Sequence, residues 1–273
     1  MPSDPTILTA VKKIRSSKAY HADDVLAIEE PLEIKLIYNT SEKIDSKTIS
    51  ITMRTPGNDE ELATGFLFTE GIIKTNDDIV GVVTSNNSIT FRLKKDVAID
   101  LQHIDRNCYT SSSCGVCGKT SIDAIRSAGK YLHAKNELQY PADLFTAMPD
   151  QLRKQQEIFK QTGGLHASAL FDANGEILLL KEDIGRHNAL DKLIGTAFLR
   201  GMLPLNKHIL LLSGRISFEL VQKAAMAGIK IIAAIGAPSS LAVETARSFE
   251  ITLIGFLNNE RMNIYSNTKR VLF

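Results

Sequence analysis

Over the first hundred residues apolar side chains come in short runs separated by polar turns: Val25 to Ile28, Leu32 to Tyr38, Thr48 to Met53, Ile79 to Thr84 and Ile89 to Leu93. Val, Ile and Thr dominate these runs, which predicts β-strands. One helix interrupts them. The turn Pro56-Gly57-Asn58-Asp59 opens it, with Asn58 or Asp59 placed to cap, Leu62, Phe66 and Leu67 at helical spacing, and Gly71 at its end. Past residue 140 the rhythm changes. Pro141 opens a long helix running toward Thr162-Gly163-Gly164. Then strands His166 to Phe171 and Ile177 to Lys181 lead to helix Arg186 to Leu199. Strand His208 to Leu212, helix Ser217 to Ala227, strand Ile229 to Ile235, helix Ser239 to Arg247 and strand Ile251 to Phe256 follow. This alternation predicts βαβ units, a largely parallel sheet and helices on both of its faces. In the helix after Gly185 one apolar stripe runs from Ala189 to Phe198 and leaves His187, Asn188 and Asp191 off its centre.

Between the halves lies DRNCYTSSSCGVCGKT, residues 105 to 120, with no apolar period and many Ser, Gly and Cys, which reads as an exposed loop. A short helix near Ser121 to Ser127 and the polar stretch Lys130 to Tyr140 follow. The boundary falls in that stretch, giving a β-rich domain over 1–135 and an α/β domain over 136–273. Charge excludes some partners: 32 Lys and Arg against 31 Asp and Glu leave a net +1, with no excess to recruit nucleic acid or an anionic membrane. An anionic ligand must be caught locally. No apolar run is long enough to span a membrane, and MPSDPTILTAVKK lacks the layout of a signal peptide, so the cytoplasm is expected. Three cysteines, two of them in CGVC, fit a reducing compartment.

A CxxC pair can share a zinc, close a small disulfide, or let one thiol resolve an adduct on the other. Tetrahedral zinc wants two further ligands; Cys108 sits at the wrong spacing, and no HxxxH or HxxxxH supplies the rest. A thioredoxin-like couple wants an apolar strand before it, and Tyr109-Thr110-Ser111-Ser112-Ser113 is not one. A thiolate nucleophile or sulfur carrier remains, beside the plain alternative that the cysteines are small loop residues. Gly115 and Gly118 let backbone N–H groups turn toward the sulfur, and Lys119 favours the thiolate.

TSSSCGVCGK, together with RTPGNDEELATGFLFTEGII, TGGLHASAL, KEDIGRHNALDK and SGRISFELVQKAA, closely resembles the formate dehydrogenase accessory sulfurtransferases, the FdhD family, over roughly residues 50 to 265. The resemblance implies a protein that takes persulfide sulfur from a cysteine desulfurase and passes it to the molybdenum bis(guanine dinucleotide) cofactor for formate dehydrogenase. It implies that Cys114 holds the persulfide, with Cys117 beside it, and assigns Cys108 no role. It also implies a homodimer and a cofactor-binding stretch over Phe256, Leu257, Asn258, Asn259, Glu260 and Arg261. Asn258 stands where relatives commonly carry a basic residue. A cytidine-deaminase-like fold is implied for the second domain. Deaminases draw zinc from HxE and PCxxC at two helix starts. Here those starts read Gly185-Arg186-His187-Asn188-Ala189 and Ser213-Gly214-Arg215-Ile216-Ser217, with Ala189 in place of the Glu and no cysteine, so that chemistry is lost.

Helix starts carrying Arg186, His187, Ser213, Gly214 and Arg215 suit a diphosphate, and Phe256 suits stacking on a guanine. Strand carboxyl ends in such a sheet share one edge. Glu182 to His187, Ser213 to Arg215, Gly236 to Ser239 and Phe256 to Arg261 are therefore expected to converge, and no stoichiometric zinc is expected. For the companion residues, His166 reads equally as an ordinary buried histidine or a site residue, while Glu182 and Asp183 are expected to cap the following helix and Arg54 to fix its turn. The alternative function is a non-catalytic chaperone for the molybdenum cofactor, with CGVC as a structural clamp.

Overall fold

The computed structural model describes residues 4–40, 43–97 and 130–273. Cys108, Cys114, Cys117 and the helix expected near Ser121 to Ser127 lie outside the described residues. The fold is mixed α/β. Strands β1 (Thr6–Arg15) and β2 (Lys18–Ala27) make an antiparallel hairpin. A four-stranded sheet, in order β4-β3-β6-β5, holds β3 (Glu30–Asn39), β4 (Ile44–Arg54), β5 (Ile79–Ser85) and β6 (Ser88–Leu93). Alternate residues Leu32, Ile34, Leu36 and Tyr38 of β3, and Ile89, Phe91 and Leu93 of β6, are buried, so one face meets the core. Helix α1 (Asp59–Thr69) covers that face.

The hairpin β1–β2 was legible only at its end, Val25 to Ile28. Its apolar residues Ile7, Leu8 and Ile14 are 53 to 75% exposed, so no buried face imposes an alternation on the sequence. Helix α1 begins as expected but is not capped as expected. Asn58 takes a left-handed backbone with φ 58° and bonds Glu61, while both Asp59 oxygens, each at 2.9 Å, go to the buried Arg54 guanidinium.

The second half holds a six-stranded sheet in order β13-β12-β11-β10-β8-β9. Its strands are β8 (His166–Phe171), β9 (Ile177–Asp183), β10 (Ile209–Leu212), β11 (Ile231–Ala234), β12 (Thr252–Gly255) and β13 (Asn263–Ser266). Tyr140–Pro141 (β7) pairs with Val271–Leu272 (β14) beside it. The expectation of a largely parallel sheet is corrected. Only β10–β11 and β11–β12 are parallel; β8–β9, β8–β10 and β12–β13 are antiparallel. The reason is connection length, since the turn Asp172 to Glu176 is too short for a crossover and folds β8 and β9 into a hairpin.

Helices lie on both faces. Phe145, Met148 and Leu152 of α2 (Ala142–Gln155) pack with Ala169, Leu211 and Ala233 on one side. Leu193 of α4 (Arg186–Leu199), Leu220 of α5 (Phe218–Met226) and Ala246 of α6 (Ser240–Ser248) pack with Leu170, Leu210 and Ile232 on the other. The long helix expected from Pro141 breaks at Gln156, whose ψ of 85° is not helical, and resumes as α3 (Glu157–Thr162). Glu182 accepts the N–H groups of Ile158 at 3.1 Å and Phe159 at 2.9 Å. It thus supplies the first turn of α3 with acceptors, capping that helix instead of the one that follows it.

Helix α1 is buried on two sides, between its sheet and α4, and the α1–α4 approach requires glycine. A Cβ on Gly65 would overlap the Asp191 carbonyl, and one on Gly195 would overlap the Glu61 carbonyl. Beside this crossing runs a buried polar lock. Lys192 Nζ meets Asp183 Oδ2 at 2.7 Å and donates to the Thr55 carbonyl at 2.8 Å. Asp183 also accepts N–H groups from Thr55 at 3.2 Å and Gly185 at 2.8 Å, and the Asn188 amide at 3.1 Å. Asn188 reaches Met53 O at 2.7 Å, and Thr55 Oγ1 accepts from Ile184 N–H at 3.2 Å. At the other end of α1, Lys223 meets Asp191 at 3.0 Å and Glu70 at 3.4 Å, and donates to Thr69 at 2.9 Å. Burial opposes the Lys223 charge, yet the Asp191 and Glu70 carboxylates hold its pKa above the ordinary lysine value.

The crossing and the lock generate one prediction. Gly65→Ala and Gly195→Ala should each cost about 3 kcal/mol, the upper part of the overpacking range. Lys192→Met should cost about 3 to 5 kcal/mol by leaving Asp183 buried without its counter-charge. Urea denaturation measures all three, and a Gly65→Ala midpoint equal to that of the parent would show that the two helices separate freely.

Candidate functional site

The strands β10, β11 and β12 end side by side, and the turns after them stack. Gly236 N–H donates to Gly214 O at 3.2 Å, Ile216 N–H to Ala237 O at 3.0 Å, and Phe256 N–H to Gly236 O at 3.1 Å. Gly236 must be glycine, because a Cβ there would lie 2.7 Å from Arg215 N. Antiparallel β8 brings its first residue, His166, to the same edge, paired with Asp183 at the end of β9. The Ala167 N–H donates to Ser213 Oγ at 2.8 Å. All four expected segments therefore meet at one edge of the sheet.

A cleft of about 720 Å³ opens between this edge and the α2–α3 corner. That is within the usual range for a small-molecule site. Of the residues expected at the site, Ser213, Leu257, Asn258, Asn259 and Glu260 line it. Arg186, His187, Gly214, Arg215, Phe256 and Arg261 do not line it. Arg186 and His187 open α4 and Arg215 precedes α5, two helices packed on the sheet face opposite α2.

The loop after β12 is held by its own side chains. Asn258 Oδ1 accepts the N–H groups of Glu260 and Arg261, both at 2.9 Å, and Asn258 N–H donates to Arg261 O at 3.0 Å. Asn259 Nδ2 donates to Asp150 Oδ2 at 2.7 Å and ties the loop to α2. Leu257 is fully buried in the core on the α2 side and anchors the loop. Phe256 has φ 52°, a backbone region that a bulky residue rarely adopts, yet the residue is 43% exposed. Strain of this kind costs about 1 to 3 kcal/mol and clusters at binding sites.

His166 lines the cleft instead of serving only the core. Burial pushes its pKa down, and the nearby Arg186 and His187 push the same way. A neutral imidazole there can both donate and accept a hydrogen bond. Sequence reasoning missed the α2–α3 wall: Arg153, Gln156, Phe159, Gly163 and Gly164 also line the cleft. The TGG of the block around His166 was the available signal. At the α4 and α5 starts, His187 Nε2 lies 2.9 Å from Glu219 Oε2 and 3.1 Å from Ser217 Oγ. Both partners meet the same ring nitrogen, so the three side chains do not form a relay through the imidazole.

The sequence profile of the FdhD/NarQ family matches residues 27–272. A protein of Streptomyces avermitilis named sulfur carrier protein FdhD is 43% identical over 96% of this chain and 94% of its own length. One of the same name from Mycolicibacterium paratuberculosis is 44% identical over 96% and 97%. One from Sulfurisphaera tokodaii is 43% identical over 96% and 97%. A crystal structure from Desulfotalea psychrophila, described as a candidate formate dehydrogenase accessory protein, shares the fold. Its TM-score is 0.73 at 24% identity, over 98% of this chain and 100% of that one.

The His187–Glu219 contact sets a pH dependence. The hydrogen bond from His187 lowers the Glu219 pKa below the ordinary 4.5, against opposing burial. A depressed carboxylate contributes stability that is complete above its unfolded pKa and lost as pH falls through its folded one. The stability gap between the parent protein and Glu219→Gln should therefore narrow as the pH falls below the ordinary glutamate value and through the lowered Glu219 pKa. Urea titrations across that range check it, and a gap independent of pH would contradict the pairing.

Proposed function

The chain belongs to the FdhD/NarQ family, and on that premise we propose that it is a sulfur carrier that serves formate dehydrogenase by sulfurating its molybdenum cofactor. Identity of 43% to proteins named sulfur carriers, across 96% of the chain, carries the reading. The CGVC motif supplies the chemistry. The Cys114 thiolate attacks the outer sulfur of a cysteine desulfurase persulfide. A new S–S bond forms at Cys114, the donor's S–S bond breaks, and the donor cysteine leaves as a thiolate, with no external oxidant or reductant. Gly115, Gly118 and Lys119 favour the thiolate that this step needs. Cys117 belongs to the same site.

The cofactor is substrate and cargo here. In this reading residues 136–273 form a cytidine-deaminase-like α/β/α domain that binds the cofactor's guanine nucleotide end, and residues 1–135 bear the sulfur. The convergence of Ser213, His166 and the loop Phe256 to Arg261 on one edge supports a nucleotide site there. So does Phe256, which stands partly exposed at that edge on a strained backbone although it does not line the cleft. The working unit is a homodimer without stoichiometric zinc, in the cytoplasm. Among the described residues no helix is long and apolar enough to cross a membrane.

Incubation with a cysteine desulfurase and cysteine should add about 32 Da, one sulfur, to the protein, and the adduct should map to Cys114. Cys114→Ala should remove the adduct and abolish activation of formate dehydrogenase, while Cys108→Ala leaves both intact. An unmodified parent protein that still activates the enzyme would replace the carrier by a cofactor chaperone.

A further inference from the structure

Two residues of the α2–α3 wall are unexplained by the fold. Gly164 has a φ outside the left-handed region, and a Cβ on it would meet nothing closer than Thr162 at 3.9 Å. Neither backbone conformation nor packing requires glycine there. Its neighbour Gly163 differs: it ends α3 with φ 67°, which explains that glycine locally. Gly164 is exposed and belongs to the lining of the cleft. Close approach of a ligand to the backbone is one use of glycine, and at Gly164 no turn or packing contact competes with it.

Arg153 is the second. It lines the cleft, is exposed, and has no hydrogen bond or ion pair among the described residues. The other charged groups on the lining, Asp150 and Glu260, are carboxylates, and Asp150 already receives Asn259. Arg153 is thus the one permanent cation that faces the cleft among the described residues. Phe159 and Ile235 give the same cavity an apolar side. A ligand that satisfies both parts carries an anionic group joined to a flat apolar body, as a nucleoside diphosphate does.

We propose that Arg153 and Gly164 form the diphosphate subsite of the cleft, Arg153 by charge-assisted hydrogen bonds and Gly164 by leaving room for the ligand against the chain. The inference rests on the nucleotide-binding reading above and moves the phosphate contacts from the α4 and α5 starts to the α2–α3 wall. Arg186 and Arg215 then act outside this subsite.

Calorimetry with guanosine diphosphate and with guanosine tests it on the full-length protein. Arg153→Gln should weaken guanosine diphosphate binding by roughly tenfold or more, the equivalent of a charged hydrogen bond, and leave guanosine binding unchanged. Gly164→Ala should weaken guanosine diphosphate to a similar extent while keeping the parent's thermal midpoint, because the added methyl group meets no atom of the fold closer than 3.9 Å. Arg215→Gln should bind as the parent does. Parent-like affinity in both Arg153→Gln and Gly164→Ala, with loss in Arg215→Gln, would overturn the subsite and leave the nucleotide reading standing. A parent protein that binds neither guanosine diphosphate nor guanosine would remove the nucleotide reading, and the subsite with it.

Discussion

At the crossing of α1 and α4, Gly65 and Gly195 let each helix lie against the other's backbone carbonyls. No side chain larger than hydrogen fits there. At that separation the groups beside the crossing are sealed from water, so they must satisfy one another. Asp183 and Lys192 do so with Thr55, Asn188 and the Gly185 N–H. Sealing and satisfaction depend on each other. A wider crossing would wet the ion pair, and a missing partner would leave a charge buried. Residues from both halves of the chain, Leu36 and Phe91 as well as Leu193 and Leu220, join one continuous core around it.

This constraint explains why two sequence blocks far apart in the chain look as they do. RTPGNDEELATG supplies Arg54, Thr55, Asp59 and Gly65, and KEDIGRHNALDK supplies Asp183, Gly185, Asn188, Asp191 and Lys192. Their charges suggest chemistry, but most are consumed in holding the two segments together. The Asp183 carboxylate fixes the Ile184-Gly185 turn and so the direction in which α4 begins. The backbone of Asp183, at the end of β9, pairs with that of His166 at the edge where the cleft opens. Architecture and site meet at that edge, with different residues assigned to each.

Much of this was legible in the sequence where burial imprints a period. Helix Arg186 to Leu199 and strand His166 to Phe171 have the bounds that their apolar pattern predicts, because each packs on one side or both. The convergence of Ser213, Gly236 and Phe256 was legible from strand polarity alone. What was hidden depends on partners distant in sequence. The break at Gln156 is stabilised by Glu182, and the roles of Asn58 and Asp59 are set by Glu61 and Arg54. The hairpin β1–β2 left no alternation because neither face is sealed. Arg153 and Phe159 sit on helices whose pattern reports only their buried side, so their place in the cleft could not be read from it.

The account separates a buried framework of charged residues from an open cleft that takes the cofactor's nucleotide end. A crystal structure of the protein with bound guanosine diphosphate tests that separation most directly. The nucleotide is expected in the cleft between the α2–α3 corner and the loop Phe256 to Arg261, with Arg54, Asp183, Asn188 and Lys192 making no contact to it. Nucleotide density at the α4 and α5 starts, held by Arg186, His187 and Arg215 with the cleft empty, would contradict the account.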